Sequence, residues 1–156
     1  MSIVAWRIVK RRLARTAFNG EGARRFGGRW NSEGVAVVYL AQSQSLAALE
    51  ILVHIDAPQL LETYLAIPVG IDPNLITKID LSSLPKNWKT YPPPKRIRAV
   101  GDDWVTAASS VVLQVPSVIV PLENNFLLNP RHLDFPKLRI GKPVPFKFDP
   151  RLTSEL

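Results

Sequence analysis

The sequence predicts a mixed α/β (α+β) fold in a single compact domain over residues 1–156, on three observations. Short β-branched runs at Ile3–Val9, Val35–Leu40, Thr63–Val69 and Val111–Val115 surround one stretch, Ser43 to His54, whose apolar residues recur at helical spacing. All 14 prolines fall from Pro58 onward, which predicts no later helix longer than about three turns. No repeat, heptad seam or linker divides the chain, and 156 residues with 46% hydrophobic side chains suffice for one core.

Taken in order, Ile3–Val9 reads as a strand and Phe18 to Gly34 as an irregular, glycine-rich stretch. Val35–Leu40 is the strongest strand signal. Ser43 is a good N-cap for the helix that follows, on which Leu46, Leu49, Glu50 and Val53 share one stripe. Thr63–Val69 reads as a strand, and Asn74 to Arg98 mostly as loop containing the rigid Pro92-Pro93-Pro94. Asp102 is placed to cap a short helix through Ala108. Val111–Val115 and Val118–Val120 flank Pro116-Ser117 as two strands meeting at a corner. Glu123-Asn124-Asn125 and Asn129-Pro130 read as polar turns whose amides hold loop backbone, and the tail from Lys137 is expected to pack along the surface.

Charge is concentrated. Residues 1–30 hold eight basic side chains against the single acid Glu21, which is the whole net charge of +7, and the rest of the chain carries twelve of each sign. An anion is therefore expected to meet the N-terminal fifth first. Trp6, Phe18, Phe26 and Trp30 interleave with that charge as in a nucleic-acid-binding module, a reading that leaves Glu50 unexplained and ranks below an enzyme. The absence of Cys excludes disulfides, thiolate nucleophiles and cysteine-held metals, and fits a reducing, cytoplasmic location. The longest apolar run, Val35 to Ala41, is too short to span a bilayer, and no apolar stretch follows the basic N-terminus as in a leader, so no membrane association is expected. His54 and His132 have no second ligand at metal spacing, so no metal site is expected. Gly20-Glu21-Gly22 and Gly22 to Gly27 fail the dinucleotide and P-loop patterns, because Arg25 replaces the third glycine of the one and Gly28-Arg29 the Lys-Ser/Thr of the other. No nucleophile elbow surrounds Ser109, Ser110 or Ser117.

Three local features carry chemistry. Gly27-Gly28-Arg29-Trp30-Asn31 sets two permissive residues before a cation, an aromatic and an amide, which suits either a ligand loop or a tight turn with Trp30 as core anchor. Glu50 lies on the apolar stripe of its helix, so its carboxylate is either ion-paired for structure or lines a cleft. Val115-Pro116-Ser117 puts a rigid residue and a hydroxyl between β-branched runs.

Together with Phe18-Asn19-Gly20-Glu21-Gly22-Ala23, Val38-Tyr39-Leu40-Ala41, Leu46-Ala47-Ala48-Leu49-Glu50 and Asn125-Phe126-Leu127-Leu128-Asn129-Pro130, these features resemble the RES family, named for an Arg, a Glu and a Ser. The resemblance runs in order from about Trp6 to His132. It implies a fold like that of ADP-ribosyltransferase toxins and an activity that destroys cellular NAD+, which is substrate rather than cofactor. It also implies a toxin–antitoxin pair in which an Xre-type helix-turn-helix antitoxin covers the active site. Direct nucleic-acid binding is not expected except through that antitoxin, and a homodimer is left open.

By the same resemblance, Arg29, Tyr39, Glu50 and Ser117 are the catalytic set, and Arg7, Arg29, Trp30, Asn31 and Tyr39 bind NAD+. Ile8 stands where a tyrosine often follows the early arginine of the family, so no aromatic contact is expected there. Cleaving the nicotinamide–ribose bond builds positive charge at C1′, which a carboxylate at Glu50 would stabilise while guanidinium forks clamp the pyrophosphate. Tyr39 would stack on nicotinamide or position the ribose, and Ser117 would orient substrate or Glu50. The acceptor is left open between water, phosphate and, as the alternative, a macromolecule.

Overall fold

β-Branched and apolar residues alternate along the chain closely enough to build eight strands, which join in one mixed sheet in a computed structural model describing residues 1–152. They are β1 (Ile3–Lys10), β2 (Val38–Ala41), β3 (Tyr64–Ile71), β4 (Ile76–Lys78), β5 (Val112–Pro116), β6 (Asn124–Leu128), β7 (Arg139–Ile140) and β8 (Val144–Phe146). The order is β4-β5-β6-β2-β1-β3-β7, with β8 also paired to β3. Only β4 and β5 run parallel. Four α-helices accompany the sheet: α1 (Glu21–Phe26), α2 (Gln44–Leu52), α3 (Ala57–Leu60) and α4 (Lys95–Ala107). Among the described residues, no helix is long and apolar enough to cross a membrane.

Because side chains alternate along a strand, the two sheet faces bury different residues. One face carries Ala5, Val38, Leu40, Val69, Phe126 and Leu128. The other carries two separate clusters, Ile8, Ala41, Leu46, Ala47 and Ala66 with α2, and Val37, Ile97, Trp104, Leu113 and Leu127 with α4. Each fully buried Leu, Ile or Val stabilises the fold by about 1.5–3 kcal/mol.

The helix at Ser43 forms as its cap predicts, with Ser43 Oγ accepting from Leu46 N at 3.1 Å. Elsewhere the structure corrects the expected elements. The glycine-rich stretch contains α1, opened by Gly20 at φ +74° and by Asn19 Oδ1 accepting from Glu21 N at 2.9 Å. β2 starts at Val38, where pairing with Leu128 of β6 begins. α4 starts seven residues before Asp102 and runs for 13, because the chain is free of proline from Lys95 to Val115. Asp102 lies inside α4, where its Oδ1 accepts from Ser32 N at 2.8 Å. Val118–Val120 is a turn rather than a strand, and the partner of β5 is Asn124–Leu128, which includes the amides expected in a turn. The tail supplies β7 and β8, on whose exposed edges Pro145 is tolerated, and it buries Phe148.

α4 lies so close to the Trp30 loop that a Cβ on Gly101 would fall on the Trp30 carbonyl oxygen. Gly101→Ala is therefore expected to destabilise the chain by about 3 kcal/mol in urea unfolding. Gly22→Ala, whose Cβ would meet nothing within 4 Å inside α1, is expected to leave stability unchanged or raise it by up to about 1 kcal/mol. Equal effects of the two would contradict this packing.

Candidate functional site

Leu46 and Ala47 anchor α2 to the sheet, and Glu50 follows them at i+4 and i+3, so its carboxylate is carried inward. Leu49 and Val53, expected on the same stripe, are 39% and 60% exposed and join no buried cluster, and Val53 stands at the cavity described below. Glu50 is half-buried, and Ser117 Oγ donates to its Oε1 at 3.1 Å. Ser117 is itself sealed from solvent, and its hydroxyl accepts from the backbone N–H groups of Ile119 and Val120, each at 3.1 Å. Burial pushes the Glu50 pKa up, while hydrogen bonds from Ser117 and Asn125 and the charges of His54 and Arg29 pull it back.

The Gly27–Asn31 loop is held by Tyr39. The phenol donates to Asn31 Oδ1 at 2.6 Å and accepts from Trp30 N at 3.1 Å, and burial pushes its pKa up. Gly28 is required because a Cβ there would lie 2.6 Å from the Tyr39 hydroxyl oxygen. Asn31 is fully buried, and its Nδ2 donates to the carbonyls of Ala23, Ser32 and Val35 at 2.9–3.2 Å. Trp30 is buried and packs on Trp88 with ring centroids 6.2 Å apart. Arg29 donates through Nη1 to the carbonyls of Trp88 at 3.1 Å and Thr90 at 2.9 Å, and burial lowers its pKa against the opposing charge of Glu50.

A cavity of about 1070 Å³ opens between α1, α2 and the 89–98 segment, large enough for a ligand bigger than a mononucleotide. The structure brings Arg7, Arg29, Trp30, Tyr39 and Glu50 to its wall. It places Ser117 and Asn31 behind the wall, where Ser117 supports Glu50 and Asn31 supports Tyr39 and the loop, not a ligand directly. Arg7 donates through Nη1 to the Tyr39 carbonyl at 3.1 Å, its Nε is buried without a partner among the described residues, and burial lowers its pKa to about 10. Sequence reasoning missed Asn125 and Arg98, which also line the cavity, and the exposed Phe26, Val53 and Tyr91 at its rim. Among the described residues, no three His, Cys, Asp or Glu side chains gather as metal ligands would. The arrangement sets the Ser117-bound carboxylate of Glu50 in a largely apolar cavity whose wall also carries the guanidinium groups of Arg7, Arg29 and Arg98, which suits an anionic ligand whose reacting centre turns positive.

Burial raises the Glu50 pKa above its ordinary 4.5, so its contribution to stability is fully present below that pH and is lost as pH rises through the folded value. Glu50→Gln is therefore expected to unfold at higher urea than the wild type at neutral pH, with the gap closing below pH 4.5. A variant less stable than the wild type at neutral pH would contradict this electrostatic picture.

The model of the RES domain family matches residues 4–149. A "Toxin Res" of Yersinia enterocolitica is 42% identical over 151 residues, covering 96% of this chain and 99% of that one. A "Toxin Res" of Photorhabdus laumondii is 37% identical, with 97% and 98% covered. The "Prs ADP-ribosylating toxin" of a Sphingobium species is 35% identical, again with 97% and 98% covered. In fold, the chain superposes on one from the M. tuberculosis MbcT–MbcA toxin–antitoxin complex with a TM-score of 0.77 at 20% identity, over 100% of this chain and 89% of that one. With the match spanning β1 to the last buried aromatic, and with the arginine, glutamate and serine in one constellation, the chain belongs to the RES domain family.

Proposed function

We propose that this chain is the toxin of a toxin–antitoxin pair and that it consumes NAD+ by breaking the nicotinamide–ribose bond, with water or phosphate as acceptor. The observation that carries the reading is Glu50, an inward carboxylate held by Ser117 in a cavity whose wall also carries Arg7, Arg29 and Arg98, none of which has a carboxylate partner within 4.0 Å among the described residues. The relatives' names as toxins support the first half of the proposal, and the 35% identical relative named for ADP-ribosylation supports action on an ADP-ribose donor.

As nicotinamide departs, charge grows on the ribose C1′, and ionised Glu50 stabilises it from a site already stripped of much of its water. Arg7 and Arg29 hold the pyrophosphate. Tyr39 offers its ring to the cavity, since its hydroxyl is committed to Asn31 and Trp30. Ser117 is no nucleophile here, because it is sealed from solvent behind the cavity wall, where no substrate atom reaches its hydroxyl. Transfer of ADP-ribose to a macromolecule is the second reading, favoured by the name of the Sphingobium relative. An Xre-type helix-turn-helix antitoxin would seat on the exposed rim formed by Phe26, Val53 and Tyr91 and close the entrance. The reaction would take place in the cytoplasm, where NAD+ is available.

The purified chain is expected to release nicotinamide from NAD+, and Glu50→Gln to abolish release while remaining folded. Full release by a folded Glu50→Gln protein would remove Glu50 from the mechanism. Labelled NAD+ separates free ADP-ribose from labelled macromolecule. Because the ionised carboxylate is the working form, activity is expected to fall with decreasing pH at a midpoint above 4.5. Ser117→Ala removes a hydrogen bond to that form and is expected to move the midpoint of kcat/KM higher still; an unmoved midpoint would deny Ser117 its role.

A further inference from the structure

Arg98 sits in the N-terminal half of α4, between Ile97, which is fully buried, and Gly101, which abuts the Trp30 carbonyl. One turn further on, Asp102 binds the N–H of Ser32. These contacts fix the helix against the Gly27–Asn31 loop and leave Arg98 facing the cavity. Its Nε is buried, and its guanidinium forms no hydrogen bond or ion pair with any described residue. The half-buried cations outside the cavity are treated differently: Lys10 is paired with Glu62, and Arg24 with Glu21.

The nearby acids are committed. Glu21 is held by Arg24, Asp102 by the Ser32 amide, and Glu50 by Ser117. A half-buried guanidinium without a partner is costly, and the fork matches a tetrahedral oxyanion.

We infer that Arg98 is a phosphate-binding residue of this cavity, an assignment that rests on the proposed NAD+ reading. The phosphate is either part of the dinucleotide pyrophosphate or free phosphate acting as acceptor, and the chemistry of recognition is the same for both.

The test uses the full chain as wild type, Arg98→Ala, Arg98→Lys and Arg98→Met, the last keeping the aliphatic stem in case alanine fails to fold. ADP and adenosine are titrated by calorimetry, and nicotinamide release is followed with and without inorganic phosphate. Loss of the guanidinium is expected to weaken ADP binding roughly ten- to hundredfold. Adenosine affinity stays unchanged, KM for NAD+ rises more than kcat falls, and Arg98→Lys recovers part of the loss. Unchanged ADP affinity with loss of the phosphate-dependent rate also supports the assignment and makes free phosphate the ligand. Unchanged ADP affinity and unchanged phosphate response in a folded Arg98→Met protein overturn it, while the NAD+ reading stands. A wild type that binds neither ADP nor phosphate and releases no nicotinamide overturns both.

Discussion

The side-chain amide of Asn31, sealed from solvent, accepts the Tyr39 hydroxyl proton at 2.6 Å and donates to the carbonyls of Ala23, Ser32 and Val35. One side chain thereby joins α1, the loop after it, the approach to β2 and the strand itself. Each of these groups is a buried donor or acceptor that would cost about 1–3 kcal/mol if left unmatched. The loop carries Arg29 and Trp30, Trp30 receives Trp88, and Arg29 receives the carbonyls of Trp88 and Thr90. The cavity wall from Gly27 to Tyr91 is thus assembled outward from Asn31, and α4 can close against it only because Gly101 has no side chain.

The electrostatics of the cavity run against stability. Arg7 and Arg98 each leave a buried nitrogen unpartnered among the described residues, and Glu50 is held in a setting that disfavours its charge. A chain selected for stability alone would have paired these cations with carboxylates, as it does with Lys10 and Arg24 at other places. Such uncompensated charge, gathered on one concave wall, is the physical mark of a site that expects a ligand of opposite sign.

Much of this was legible in the residues. β-Branched alternation located β1 and β3, and Ser43 with Leu46 located α2, which was enough to carry Glu50 inward. The amphipathic stripe misled at Leu49 and Val53, because an exposed apolar residue, such as Val53 at the cavity, looks the same in sequence as one in a core. α4 is hidden by the abundance of prolines after Pro58 and visible only in the proline-free interval from Lys95 to Val115. With that helix placed, Arg98, Gly101 and Asp102 fall within one turn, which is the signal that could have found Arg98. Asn125 was read as turn chemistry, and only its pairing opposite Ala41 and Val115 makes it a strand residue able to reach Glu50. Asn31 was read as a ligand contact because amide chemistry alone does not say which side of a loop it faces.

The hydroxyl of Ser117 accepts two backbone N–H groups, so its rotor has a single remaining direction for the proton, toward Glu50. An oriented dipole of this kind is already aligned before charge appears on the carboxylate. Water in the same place would have to turn to meet each change of ionisation or each approach of a cationic centre. The turn at Val118–Val120, which costs the sheet a strand, therefore supplies the carboxylate with surroundings whose reorganisation energy is small, and that property belongs to the backbone as much as to the serine.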